Sequence, residues 1–486
     1  MRDRPFPSAA AILAIAAFLL ALASGAQMLS IDSDLGRHLT LGKYILEHRA
    51  IPTRDIFSHT LTGESRPPYE WLSQVIFEIA NKLLGLDGVI LLTAFLLGAV
   101  VFLLYRYCFN RSQSTLVSFL VVLLATGATS IHWLPRPHMI TFLLLAVWIH
   151  NLEKLRTGKQ IGIYVFPLIM LFWANLHGGF IFGFLTLAAY FAGWLWGKWR
   201  NQASTETGKS FFLAGIYSLV ASVITPDLWH NWEAVLNNRS SFILSRTVET
   251  MPPNVSDPSV APFVILLALS VIFFFVNLRT AAVSHIFLLG GFAVLALMMT
   301  RNIPLFAIVC APILSEWITA KANQLPSWKR FDERFVNLAM PSRSFLLPVT
   351  LIILSVGFFA YSHAKGRQVY QFNPQVFPVQ AVDWLEKNPI EGNMFNEFNW
   401  GGYLLYRLWP HDLVFVDSQS DFYGEPLMRD YETILLAKNN WRDLLEKYQI
   451  NWAIIPANSP LAIQLKQEGN WTTLYEDPTA VIFQRK

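Results

Sequence analysis

Apolar runs of roughly 20 residues recur along this 486-residue chain, separated by short polar turns, and nothing else in the sequence constrains the fold as much. The first run, AAAILAIAAFLLALASGAQML, occupies residues 9–29. A soluble domain carries about a quarter charged residues; here they make up 14%, and hydrophobic residues 53%. The chain reads as a polytopic α-helical membrane protein with eleven transmembrane helices, at 9–30, 86–105, 113–131, 138–151, 161–175, 178–197, 211–226, 260–278, 283–300, 302–320 and 344–362. The first run follows Arg2 and Arg4 and ends in ALASGA, partly in the manner of a signal peptide, but its length favours a retained span. A net charge of +4 suggests no nucleic-acid partner. Cys108 and Cys310 lie in no CxxC or Cys/His cluster, which argues against a disulfide framework or a zinc site.

Charge placement orients the spans. With the N-terminus cytoplasmic, inner loops hold Arg106 and Arg111, then Lys154, Arg156 and Lys159, then Lys198, Arg200 and Lys209, then Arg279. The last inner loop holds Lys321, Lys329, Arg330, Arg334 and Arg343, and the outer turns carry few basic residues. An odd number of spans then puts the C-terminal part outside. Two outer segments are large: residues 31–85 and the tail, 363–486. The expected division is a transmembrane domain over 1–362 and a soluble extracytoplasmic α/β domain over 363–486. In the tail, strand-length runs such as LVFV (413–416) and WAII (452–455) alternate with helical patterns, VQAVDWLEKN and NWRDLLEKYQ.

Polar residues gather at the outer ends of the spans. IDSDLGRHL (31–39) follows the first span with Asp32, Asp34, Arg37 and His38. HWLPRPH supplies His132, Arg136 and His138; WANLHGGF supplies Asn175 and His177. Asp227, His230, Arg301 and Asn302 follow later spans. Singly, each fits a helix cap or a polar loop. As a set on one face, they suggest a polar site at the outer membrane surface. Asp34 opens an expected amphipathic helix, about Leu35–His48, lying along the interface, in which His38 is its i,i+4 neighbour. Two readings stay open: Ser33 or Asp34 caps that helix, or Asp34 is a general base. A second surface helix opens at Glu70. In the tail, a turn explains Gly401 and Gly402, and a cap explains Asp417. The sequons at Asn238, Asn254 and Asn470 lie in outer segments.

This layout resembles the membrane-embedded glycosyltransferases of the GT-C superfamily, and more closely the bacterial relatives of the protein mannosyltransferases and lipid A aminoarabinose transferases. The resemblance rests on IDSDLGRHL, GKYILEHRAIPTRDIFSHT, YEWLSQVIFEIA, LPRPHMITFLL, FWANLHGGFIFG, ITPDLWHNW, MTRNIPLFAIVCAP and the tail FNWGGYLLYRLWPHDLVFVDSQSDFYG. It implies a polyprenyl-phosphate-linked sugar donor, an inverting transfer to a lipid, glycan or protein acceptor, and a place in the plasma membrane. The family's catalytic aspartate maps to Asp34, with Asp32 competing and Glu70 next. The sequence has Asp-Ser-Asp instead of the Asp-Glu pair of the mannosyltransferase branch. Arg37, His38, Arg136, His138, Asn175, His177 and Arg301 are the implied substrate-binding residues. No cofactor is assigned; a divalent metal at Asp32 and Asp34 is left open. The rival readings are a noncatalytic relative and a lipid-linked glycan transporter.

Overall fold

The computed structural model describes residues 8–237, 248–335 and 346–486. Arg2, Arg4, the Asn238 sequon, Arg343 and the first two residues of the last expected span lie outside them. The first ten long helices are α1 (Ala9–Ala23), α2 (Gly25–Ile31), α3 (Leu35–His48), α4 (Trp71–Leu84), α5 (Leu86–Ser112), α6 (Thr115–Thr129), α7 (His138–Arg156), α8 (Val165–Leu176), α9 (Ile181–Trp199) and α10 (Thr205–Ser222). Further helices cover Ala261–Asn277, Val283–Met298, Ile303–Ala322 and Leu346–Ala364.

Every expected span coincides with a helix, but length and composition qualify only some of them for crossing. Six pass among the described residues: Leu86–Ser112, Thr115–His132, Gly178–Trp199, Pro258–Asn277, Thr300–Ala322 and Leu346–Ala364. The pair α1 and α2 makes a seventh if its 57° bend is one broken span. α8 and Val283–Met298 are apolar but shorter, and α7 carries Glu153, Lys154 and Arg156 in its last turns. The bend falls at Ser24-Gly25, a pair that weakens a helix. There the tail's Tyr370 hydroxyl donates to the Leu22 carbonyl at 2.6 Å, and a Cβ on Gly25 would meet the Tyr370 ring at 2.6 Å. Ile303–Ala322 is buried almost all round, which is why it reads as uniformly apolar. Leu346–Ala364 is the opposite, with Leu346, Ile353 and Leu354 exposed on an apolar outer surface.

The tail holds a four-stranded sheet, β1 (Asn393–Asn396), β2 (Ile450–Pro456), β3 (Trp471–Glu476) and β4 (Ala480–Arg485), in the order β1-β2-β4-β3. β1 and β2 are parallel and the other pairs antiparallel. β2, expected from WAII, is buried along nearly its whole length because helices cover both faces of the sheet. LVFV does not join that sheet. Its backbone is shared between the first loop and the Asn396 side chain: Val414 N–H donates to Phe57 C=O at 3.0 Å and His59 N–H to Val414 C=O at 3.1 Å, while Phe415 N–H donates to Asn396 Oδ1 at 2.8 Å.

The tail is packed onto the helices. Its helix Gly401–Leu408 lies across α3 so closely that a Cβ on Gly36 would sit 2.2 Å from the Gly402 carbonyl oxygen, and one on Gly402 would sit 2.3 Å from that of Ser33. Gly401 and Gly402 are therefore contact glycines inside a helix, not the turn glycines expected from sequence. Asp87, at the start of α5, accepts the N–H groups of Val369 and Tyr370 at 2.8–3.1 Å.

Candidate active site

α3 and α4 begin alike. Asp34 and Glu70 stand at their N-cap positions, where a short acidic side chain normally accepts an orphan amide, yet neither does so. For α3 the work passes to Asp32, whose Oδ1 accepts from the N–H groups of Asp34 (2.8 Å) and Leu35 (3.1 Å). The expectation that Ser33 or Asp34 caps this helix is thus corrected, and Asp34 is free to turn elsewhere. α3 is amphipathic as expected, with Lys43, Glu47 and His48 exposed. It is held between α4 and the tail helix, which buries Arg37 and His38.

Arg136 is the centre of the charge cluster. Its Nε meets Asp32 Oδ1 at 2.8 Å, its Nη1 meets Asp34 Oδ2 at 2.7 Å, and the same nitrogen is 3.6 Å from Glu249. The turn that presents it is folded by its neighbours: His138 Nε2 donates to the His132 carbonyl at 3.0 Å, with the two rings 4.3 Å apart. Asp34 Oδ1 has no partner among the described residues. Burial pushes the Asp32 carboxyl upward against the opposing pull of Arg136.

Glu70 lies between two histidines, 3.5 Å from His177 Nε2 and 3.9 Å from His38 Nδ1. Burial pushes its carboxyl up to about 7; Arg37 opposes this, and Asp34 and Asp421 add to it. Burial holds His38 well below the usual imidazole range, and it brings His177 down to about 3 with help from Arg301 and His132. Both rings are therefore neutral near pH 7. The His177 tautomer follows from its partners. Its Nδ1 accepts from Gly179 N–H at 2.9 Å and lies 2.8 Å from the Thr141 hydroxyl, which itself accepts from Trp173 Nε1. The proton thus sits on Nε2, facing Glu70.

Two arginines are unsatisfied. Arg37 is 7% exposed, its Nε has no hydrogen-bond partner, and it forms no ion pair among the described residues. Arg301 is half-buried beside His177 and His132 and is likewise unpaired among them. A buried cation without a partner is costly, so such a group marks a place for an anion. Arg37, Tyr69, Glu70 and the tail's Gln419 line a narrow cleft of about 20 Å³.

Other expected residues serve the framework. Asn175 spends its side chain on Trp71 Nε1 (2.7 Å) and the carbonyls of Leu171 and Ile224, tying α8 to α4. Asp227 and His230 pair with each other at 3.4 Å. The structure adds residues that sequence reasoning did not single out. Arg66 joins Asp55 (2.6 Å) to Asp417 (2.8 Å), fastening the first loop to the tail. Asp417 also accepts Gln419 N–H at 2.8 Å, so the expected cap is present beside an unexpected ion pair. That clasp brings Asp421 within the field of Arg37, Glu70 and Asp34. Glu249, Asp421 and Arg66 carry no local motif that could have announced them.

No family model and no curated protein matches the sequence. The fold does match solved structures. One is the apo oligosaccharyltransferase of Archaeoglobus fulgidus, with a TM-score of 0.61 and 11% identity over 91% of this chain and 69% of that one. Another is AglB, the archaeal oligosaccharyltransferase of the same organism, in complex with an inhibitory peptide and a dolichol-phosphate (0.60, 11%, 97% and 74%). A third is that organism's oligosaccharyltransferase with Zn and sulfate (0.53, 10%, 97% and 73%). A comparable metal does not fit the donor set here. The Arg136 guanidinium stands among Asp32, Asp34 and Glu249, and the described residues contain no group of three or more His, Cys, Asp or Glu arranged to hold an ion. At 10–11% identity this likeness is one of fold: the chain shares the fold of these oligosaccharyltransferase structures.

Proposed function

We propose that this chain is a membrane glycosyltransferase that moves a sugar from a polyprenyl-phosphate-linked donor to an acceptor outside the cytoplasm. The observation that carries the reading is a buried cluster at the ends of apolar helices: Asp34, relieved of capping and held by Arg136, Glu70 within the field of the unpaired Arg37, and the unpaired Arg301 beside His177, which itself faces Glu70. A dolichol-phosphate bound to the neighbour AglB supports a lipid-phosphate donor. In this reading all eleven apolar segments cross the membrane, with the N-terminus cytoplasmic and residues 363–486 outside as a soluble domain.

The chemistry follows from the charges. The acceptor hydroxyl gives its proton to Asp34 as its oxygen bonds to the anomeric carbon. The bond from that carbon to the phosphate oxygen breaks on the opposite side, and its electron pair leaves with the lipid phosphate. This single displacement inverts the carbon. Arg37 and Arg301 meet the charge growing on the phosphate, where fixed cations in a buried site are most effective. Asp32 is the poorer base because it is fully buried and its Oδ1 is committed to two backbone amides and Arg136, whereas Asp34 is partly exposed and, among the described residues, pairs only with Arg136. Glu70, with its raised pKa, is the second acid–base group.

The test uses purified full-length protein, Asp34→Asn and Asp32→Asn, each incubated with polyprenyl-phosphate sugars from membrane lipid extract and followed by mass spectrometry. The expected result is consumption of one donor by wild type and none by a folded Asp34→Asn. Loss in Asp32→Asn alone shifts the base by two residues. No consumption by wild type with any acceptor extract sinks the enzyme reading and favours a noncatalytic relative or a transporter.

A further inference from the structure

The far ends of α5 and α7 hold a second feature. His138 and Glu153, near opposite ends of α7, are ~22 Å apart along its axis, so this place is separate from the Asp34 cluster. There the helices part around a cavity of about 860 Å³. One part of its wall is hydrocarbon, with Leu103, Ile149, Ile308 and Pro312, and the stacked rings of Tyr107 and His150, 3.8 Å apart, close one side. Its rim is basic. Two rim cations are used by the fold: Arg111 meets Glu316 at 2.5 Å and Arg156 meets Glu153 at 2.6 Å. Arg106, Lys154 and Lys159 also line the cavity and have no ion-pair partner among the described residues.

The geometry points to a binding site for an anionic phospholipid, with acyl chain against the hydrocarbon wall and phosphate among Arg106, Lys154 and Lys159. Basic residues at the ends of spans are ordinary topology signals; a hydrocarbon-walled cavity beneath them is not. A soluble anion gains nothing from that wall, and a neutral lipid gains nothing from the cations. Basic pockets between spanning helices are suited to acidic headgroups. α5 and Thr300–Ala322, which supply most of the wall, are both long and apolar enough to cross a membrane. The occupant braces α7 and Ile303–Ala322, whose other ends adjoin Arg136 and Arg301.

The test compares full-length protein in nanodiscs of phosphatidylcholine with and without phosphatidylglycerol. Lipid retained after detergent washing is counted by native mass spectrometry, and melting temperature is recorded. Wild type is expected to keep phosphatidylglycerol selectively and to melt higher with it. At ~1 kcal/mol per basic residue, Arg106→Gln with Lys154→Gln and Lys159→Gln lowers retention about 100-fold. Leu103→Trp, which fills the cavity and leaves the charges, is expected to lower it as well. Equal retention of both lipids by wild type overturns the site. So does a Leu103→Trp protein that retains phosphatidylglycerol normally, which reduces the effect to surface charge. An equal rise in melting temperature from inorganic phosphate alone overturns the lipid as occupant. If the triple variant does not fold, the Leu103→Trp and phosphate arms decide.

Discussion

At Arg136 one planar guanidinium does what a lysine ammonium cannot, meeting Asp32 and Asp34 through different nitrogens while approaching Glu249. Because it already neutralises these carboxylates, donor consumption is expected to survive chelation by EDTA; loss of turnover restored by added divalent ion contradicts this. Arg37 is the reverse case, a buried cation that forms no ion pair among the described residues and feels Glu70 and Asp421 only at a distance. Arg37→Met is expected to raise the melting temperature of the substrate-free protein and to abolish donor consumption, since the strain it removes is the phosphate's place. A variant that melts lower, or turns over normally, refutes that role. Glu70 gives a pH dependence. Its folded pKa of about 7 exceeds the ordinary 4.5, so the folded state holds the proton more tightly than the unfolded chain. Stability is then lost as pH rises between those values. Relative to Glu70→Gln, the wild-type melting temperature is expected to fall over that window; parallel curves exclude a raised Glu70.

Among elements, the contact between α3 and the tail helix Gly401–Leu408 decides the position of Asp34. Backbone meets backbone there, so neither Gly36 nor Gly402 has room for a methyl group. Gly36→Ala and Gly402→Ala are each expected to cost about 1–3 kcal/mol, the range for overpacking a tight contact. Activity should fall with stability, because Asp34 lies one turn from the displaced backbone. Gly290→Ala, with open space around it, is the control expected to be silent in thermal melts. The apolar periodicity of Leu35–His48 was legible in the sequence, as was the helix after Glu70. Their caps were not, because the run Ile31-Asp32-Ser33-Asp34 crowds several acceptors before α3, and the expected cap was Ser33 or Asp34. Only the fold commits Asp32 to the amides. For the same reason LVFV reads as a sheet strand, although its backbone bonds to the first loop and to the Asn396 side chain.

On the scale of the whole molecule, Arg66 joins two distant parts of the chain by pairing with Asp55 and Asp417, both fully buried. Removing it leaves two buried carboxylates uncompensated, so Arg66→Met is expected to cost about 3–5 kcal/mol. Limited proteolysis should then release the tail after residue 363 more readily than in wild type; an unchanged digestion pattern argues against the clasp. The sequence by itself determined the run of apolar helices, the acidic motif behind the first of them and the alternation of strand and helix in the tail. These are local properties, since the length of a hydrocarbon run and the period of its side chains are written in neighbouring residues. The tertiary structure alone decided that Asp32 and not Asp34 caps α3, that Arg136 stands among Asp32, Asp34 and Glu249, and that Asp421 comes under the influence of Arg37. Those groups lie far apart along the chain, and charges meet across such separations only where packed helices and the docked tail bring them together.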